Sequence, residues 1–280
     1  QAGGSNWITP EKVLEAIQLV ETGKIYELGH VYEPGMPVFP GRTYSLYIPS
    51  FPTGGTLGPD LVYNDELVVG EIGQVGTQFD GPGHVGKRVT AEDGTVEHIF
   101  YNGVRGSEMK GAYGLRKLGV EHVGPYVTRG VLIDVAGYKG VETLPDRYVV
   151  TLEDVRGALE AQGMSEEDIR PGDAVLFNFG WWRLWPDPKV MSAAWPGIGR
   201  PVADWIVERG ASMVGSDAAT DEATEWAVHD ELTLKHGIFN LELMNFEELL
   251  QDGVHEFMFV FTPLRLKGAT GSPGRPLAIR

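Results

Sequence analysis

Apolar residues fall at helical spacing in several stretches of the chain and in short unbroken runs in others. Val13, Leu14, Ile17 and Val20 follow Thr9-Pro10 and precede Gly23. A cap, a first-position proline and a closing glycine around one apolar face predict an amphipathic helix. Thr151 with Asp154 three residues later, then Leu152, Val155 and Leu159 on one face before Gly163, predict a second. Pro201 to Arg209 and Asn245 to Gln251 are read as two more. Strands are predicted at Glu66 to Val69, Val131 to Val135, Ala174 to Phe179, Ser212 to Val214 and Phe257 to Phe261. Several of these are continuous apolar runs, the pattern of strands buried on both faces. Helices alternating with such strands indicate an α/β domain. The Gly/Pro-rich stretch from Gly29 to Pro59 is too irregular for a plain doubly wound sheet and is expected to form loops and short strands over it. No repeat, low-complexity tract or linker interrupts the chain, so residues 1–280 are read as a single domain.

Composition narrows the function classes. An apolar fraction of 42% supports a substantial core, while a formal charge of -16 repels phosphate backbones and anionic membrane surfaces. Nucleic acid and membrane are therefore not expected partners. No apolar run approaches the roughly 18 residues that cross a bilayer. Gln1 stands where an initiating Met would, so an initial segment, with room for a secretory signal, is expected to have been removed; the compartment expected is the cytoplasm. The absence of cysteine excludes disulfides, a thiol nucleophile and thiolate ligands, which leaves His, Asp, Glu and Gln to hold any metal.

The densest polar cluster is Gly73 to His84, reading Gly-Gln-Val-Gly-Thr-Gln-Phe-Asp-Gly-Pro-Gly-His. In an extended segment Gln78 and Asp80 share a face, and the Gly-Pro-Gly turn brings His84 back to meet them. A plainer reading has these side chains satisfying their own turn backbone. Gly81 to Gly86 also matches G-x-G-x-x-G, and Gly81 to Lys87 nearly matches a phosphate loop, with Arg88 where Ser or Thr belongs. Neither match has the apolar strand before it and the helix after it that a nucleotide loop needs. No G-x-S-x-G elbow and no H-E-x-x-H occurs, so a metal-activated water is the hydrolytic chemistry that the available residues supply best. Partners for the cluster are sought in Val228 to Glu242: His229 sits at the start of a helix that Gly237 ends, and Glu242 follows in a strand-like run.

At these residues the chain resembles the cyclase family that includes bacterial kynurenine formamidase, isatin hydrolase and trans-dienelactone hydrolase. The family signature H-x-G-T-H-x-D-x-P-x-H is followed by Gln74 to His84 except that Gln74 and Gln78 replace its first two histidines. Gly29 to Gly41, Arg170 to Trp181 and Val214 to Asp217 resemble further family motifs in the expected order. The glutamine version, with the ending Leu264 to Pro273, looks most like the trans-dienelactone hydrolase branch. The resemblance implies a swivelling β/β/α fold with a mixed sheet and flanking helices, a homodimer or homotetramer, and a divalent metal. It transfers metal binding to Asp80, His84, His229 and Glu242, with Gln78 as a fourth ligand or a residue that orients water. Because an amide oxygen is a weaker donor than imidazole, one ion of zinc or manganese is expected where formamidases hold two.

The function this implies is opening of a small cyclic ester or amide, such as a dienelactone, by a metal-bound water. The alternatives are arylformamidase or isatin-type amide hydrolysis, and a non-catalytic metal or small-molecule binder. Glu242 is the expected proton carrier, with His84 in the metal shell and His30 as the substitute. Phe39, Trp181, Trp182 and Trp185 are expected to wall a flat substrate, with Gln74 beside it, or else to pack in the core. His98, His122, His236 and His255 are read as structural or surface residues.

Overall fold

A computed structural model describes residues 3–55, 59–185, 187–191, 194–222 and 224–280. Its framework is a nine-stranded mixed sheet. In chain order the strands are β1 (Ile25–Glu27), β2 (Gln78–Asp80), β3 (Tyr126–Asp134), β4 (Ala174–Asn178), β5 (Met213–Ser216), β6 (Phe239–Glu242), β7 (Glu256–Phe261), β8 (Gly271–Pro273) and β9 (Leu277–Ile279). They lie side by side as β1-β9-β7-β3-β4-β5-β6-β2-β8. The four in the middle, β3 to β6, run parallel, and antiparallel strands close the sheet on both sides.

Alternation along the strands divides the core in two. Val131 and Ile133 of β3 and Val175 and Phe177 of β4 enter one cluster with Val155, Leu159, Val202 and Ile206, from the helices Leu152–Ala161 and Arg200–Arg209. Leu132, Ala174 and Leu176 point the other way, into a cluster with Phe79, Phe239, Leu241, Phe257, Phe259 and Phe261. The runs predicted at Val131 to Val135, Ala174 to Phe179 and Ser212 to Val214 therefore lie in the parallel centre of the sheet, while Phe257 to Phe261 pairs antiparallel beside it.

The predicted helices form, three with shorter ends and the one predicted at Pro201 to Arg209 as Arg200–Arg209. The first is Pro10–Ile17, capped by Thr9, whose side chain accepts from Lys12 N, and it stops before Val20 and Gly23. The second is Leu152–Ala161, and Thr151 and Asp154 make the reciprocal capping box. The buried Asp173 carboxylate receives Lys12 Nζ and Arg129 Nη1, each at 2.5 Å, which ties the first helix to β3. One strand expectation is corrected. Leu67–Gly70 is exposed throughout and pairs only with Tyr44–Tyr47, in a ribbon apart from the main sheet. Its apolar run is shared with Tyr44, Leu46 and Tyr47 across the ribbon rather than with a core. Val135 is also not a strand end but the first residue of the helix Val135–Lys139. No helix among the described residues is long and apolar enough to cross a membrane.

Candidate metal centre and pocket

The site is assembled by two antiparallel neighbours, β2 and β6. Their register sets Asp80 opposite Asn240 and Gln78 opposite Glu242. Because alternate residues share a face, Phe79 and Leu241 point into the aromatic core while the four polar side chains point together to the other side. Gln78 Nε2 donates to Glu242 Oε2 at 3.0 Å and Asn240 Nδ2 donates to Glu242 Oε1 at 2.8 Å. Glu242 lies at the carboxyl end of the parallel strand β6, the side of an α/β sheet where ligands usually bind.

The Gly-Pro-Gly turn after β2 supplies the next group. His84 N donates to Gly81 O at 3.0 Å, closing the turn. A side chain at Gly83 would stand 2.3 Å from Leu115 Cδ1 and 2.8 Å from Leu118 O, so the chain turns this tightly only with glycine there. His84 Nε2 comes to 3.7 Å from Asp80 Oδ1.

The third group arrives on the π-helical segment Val228–His236, which Gly237 ends at φ 65°. Asp221 prepares it. Its carboxylate accepts from Val228 N at 2.5 Å and His229 N at 3.2 Å, and it also pairs with His229 Nδ1. With Nδ1 engaged, His229 Nε2 faces Asp80 Oδ2 at 3.3 Å and Glu242 Oε1 at 4.0 Å.

One ligand atom each from Asp80, His84 and His229 lies within 4.8 Å of the others. Atoms bound to one cation at about 2.0–2.2 Å stand roughly 3–4 Å apart, so small side-chain shifts close the set. Two further observations fit a cation. Asp80 Oδ2 and Gln78 Oε1 are buried without a hydrogen-bond partner among the described residues. An Asp-His-Nδ1 contact that leaves Nε2 free is the usual support of a ligating histidine.

The electrostatics point the same way. Burial disfavours charge on Asp80, but His84 and His229 outweigh it and hold the carboxyl below its usual range. Burial likewise opposes a charged His229, and the neighbouring carboxylates of Asp221 and Asp80 overcome this, raising its pKa well above the ordinary value. Glu242 is pushed well up, first by burial and then by the charge of Asp80. Burial lowers the pKa of His84.

A pocket of about 160 Å³ opens on this cluster, lined by Gln78, Asp80, His84, His229 and Glu242 together with Phe39, Arg42, Trp195 and Trp226. Phe39 meets Trp195 edge-on at 5.7 Å between ring centroids, and Trp226 meets His229 at 5.7 Å. Of the aromatic wall expected from sequence, Phe39 is in place. Trp181 lies in the core with Nε1 donating to Leu144 O at 3.0 Å, and Trp182 packs under Arg183 at 4.1 Å. The physical reason is Asp217, which accepts from Phe179 N and Trp182 N and pulls this segment against the end of β5. Trp185 stacks on His30 with centroids 4.4 Å apart. His30 is not among the pocket's lining residues, and burial lowers its pKa to about 4. Gln74 stands behind the site, donating to Asp80 Oδ1 at 3.1 Å.

Sequence reasoning missed Arg42, Trp195, Asp221, Trp226 and Asn240. Asn240 had a usable signal, because it lies two residues before Glu242 on the same strand face. Arg42 had one in Pro40-Gly41, a turn pair that folds the chain back on Phe39. The others sit in irregular segments without a periodic pattern.

The family model described as "Putative cyclase" matches residues 26–223. Among solved structures, a novel cyclase is 29% identical with a TM-score of 0.85, over 100% of this chain and 96% of that one. Isatin hydrolase A from Ralstonia solanacearum is 20% identical, with a TM-score of 0.64 over 97% of this chain and 98% of that one. A predicted metal-dependent hydrolase from Bacillus stearothermophilus is 19% identical, with a TM-score of 0.58 over 92% and 98%. No curated protein matches in sequence.

Proposed function

The chain belongs to the cyclase family, and from that premise we propose that it is a hydrolase opening a small cyclic ester or amide with a divalent cation on Asp80, His84 and His229. The observation that carries this reading is the convergence of those three side chains on one pocket that also holds a buried carboxyl, Glu242. The likeness to solved hydrolases supports it.

The donor set is oxygen and nitrogen without sulfur, which suits zinc or manganese. A single ion is the expected stoichiometry, since Gln74 and Gln78 direct their amide nitrogens to Asp80 and Glu242. When bound there, such an ion supplies Lewis acidity, lowering the pKa of a coordinated water and polarising a carbonyl. Glu242 is the proton carrier. Gln78 and Asn240 hold its two oxygens, and burial together with the Asp80 charge raises its pKa, which makes it a stronger base for taking the proton of an attacking water and passing it to the leaving oxygen or nitrogen. Phe39, Trp195 and Trp226 exclude water and accept the face of a flat ring. The pocket's volume, about 160 Å³, lies below the roughly 300–1,000 Å³ of drug-sized sites, which selects one- or two-ring substrates.

The test is a panel of a simple lactone, isatin and an N-formyl aryl amide, with the protein loaded with zinc or manganese and product formation followed directly. Hydrolysis of the lactone or of isatin, abolished by chelator and restored by metal, is the expected result. Faster cleavage of the formyl amide would make the protein an arylformamidase instead. Full metal loading with no turnover of any of the three would leave a metal-binding protein without catalysis.

A further inference from the structure

Arg42 is the one lysine or arginine among the residues lining the pocket, in a chain whose formal charge is -16. The turn Phe39-Pro40-Gly41-Arg42 puts it there: Arg42 N donates to Phe39 O at 3.0 Å, and Gly41 takes φ 86°. Proline followed by a positive-φ glycine is the pair that a type II turn requires. The turn lays the guanidinium 4.9 Å over the Phe39 ring, while Nη1 donates to Gln74 O at 2.7 Å. The side chain is thus fixed on one edge and on one face.

What it lacks is an anion in contact, although its charge reaches Glu71 and the pocket carboxyl Glu242. No carboxylate of the described residues lies within 4.0 Å of its nitrogens, although both pocket carboxylates, Asp80 and Glu242, belong to the same wall system. Other buried or half-buried cations of this protein are paired: Arg129 with Asp173 and Glu256, Lys12 with Asp173, Arg200 with Asp230 and Glu231. A guanidinium has five N–H donors in a planar fork, and one is used here by Gln74 O. A ligand that displaces water from the pocket must therefore satisfy the rest or leave them bare.

We propose that Arg42 is the specificity residue of this pocket, receiving a carboxylate carried on the ring of the substrate while the Asp80, His84 and His229 wall acts on the ring carbonyl. This rests on the proposed hydrolase reading for the word substrate, but not for the binding of the anion. The substrate class is then a cyclic ester or amide with an anionic substituent away from the scissile bond. A flat ring between Phe39, Trp195 and Trp226 sets the distance between its two ends. The fork makes the preference specific to carboxylate geometry, which a lysine point charge reproduces only partly.

The experiment uses metal-loaded protein and a matched pair of ring compounds that cannot be hydrolysed, a phthalan bearing a carboxylate and the same phthalan bearing a carboxamide. Calorimetric titration of the wild type is expected to show the carboxylate bound about tenfold or more tightly. Arg42→Gln should bring the ratio near one, and Arg42→Lys should give an intermediate ratio, with metal content unchanged in both. A wild-type ratio near one, or a preference that survives Arg42→Gln, overturns the proposal. The corresponding phthalides, whose lactone can open, report the hydrolase reading separately. If neither phthalide turns over while the phthalan ratio holds, the hydrolysis reading fails and the anion site stands.

Discussion

Around His229, one side chain outside the metal set decides how well the set works. Asp221 fixes the imidazole through Nδ1 and caps the segment that carries it. Loss of such support typically weakens metal affinity about 10- to 100-fold. Asp221→Asn is expected to do so here, measured by competition with a chromogenic chelator, and unchanged affinity would remove Asp221 from the account. Asp217 gives a second prediction, in pH. Burial raises its pKa from 3.8 to about 7 against the backbone N–H groups that it accepts. The proton is held more tightly folded than unfolded, so the stability this group contributes is fully present below its unfolded pKa and is lost as pH rises through the folded one. Asp217→Asn cannot titrate. In urea unfolding, wild-type stability should therefore fall relative to the variant between about pH 4 and pH 7, by on the order of 4 kcal/mol at most. A flat difference would show that the carboxyl is charged in the native state. Asp80 and His84 were picked out because strand alternation and a glycine turn dictate where their side chains point, whereas His229 and Glu242 were only candidates at a helix start and in a strand-like run until the family resemblance singled them out. Asp221 was not picked out, because it sits in an irregular segment placed by distant contacts; for Arg42 the Pro40-Gly41 turn was visible, but the pocket that it faces was not.

Among the elements, the segment Val228–His236 is the one on which the site depends most. Gly237 ends it in the left-handed region, and a Cβ there would meet the Tyr101 ring at 2.6 Å. A left-handed non-glycine residue costs about 1–2 kcal/mol, and the ring contact adds to it. Gly237→Ala should therefore lower the urea midpoint by at least that equivalent, and a midpoint equal to wild type would contradict this reading of the helix end. Helix existence was readable from caps and apolar faces, as at Thr151 and Asp154. Helix ends were not: Val20, beyond the observed end of the first helix, is exposed and gains nothing from continuing it. The Leu67–Gly70 strand misled because an apolar run carries no mark of whether a core or another surface receives it.

That ribbon matters at the scale of the whole molecule. Leu46, Tyr47, Leu67, Val68 and Val69 are all exposed on it, and a two-stranded ribbon alone is marginally stable. The homodimer or homotetramer expected from the family resemblance would have an apolar contact face available here. Sedimentation should give a multiple of 30.6 kDa, and Val68→Lys should shift it toward one chain; a single-chain mass for the wild type would contradict that expectation. The fold class was legible from alternating helices and apolar strands, and the nine-stranded mixed sheet agrees with it. The strand order was not, because β2 and β8 join the far edge through contacts between residues almost 200 positions apart, such as Gly271 with Asp80.

Everything proposed about activity depends on one cation shared by Asp80, His84 and His229. The direct measurement is elemental analysis of protein purified without added metal, beside Asp80→Ala, His84→Ala and His229→Ala. About one zinc or manganese per chain in the wild type, and loss of it in each variant that still folds by circular dichroism, is the predicted result. A folded wild type that takes up no divalent ion, or variants that retain it in full, would contradict the account.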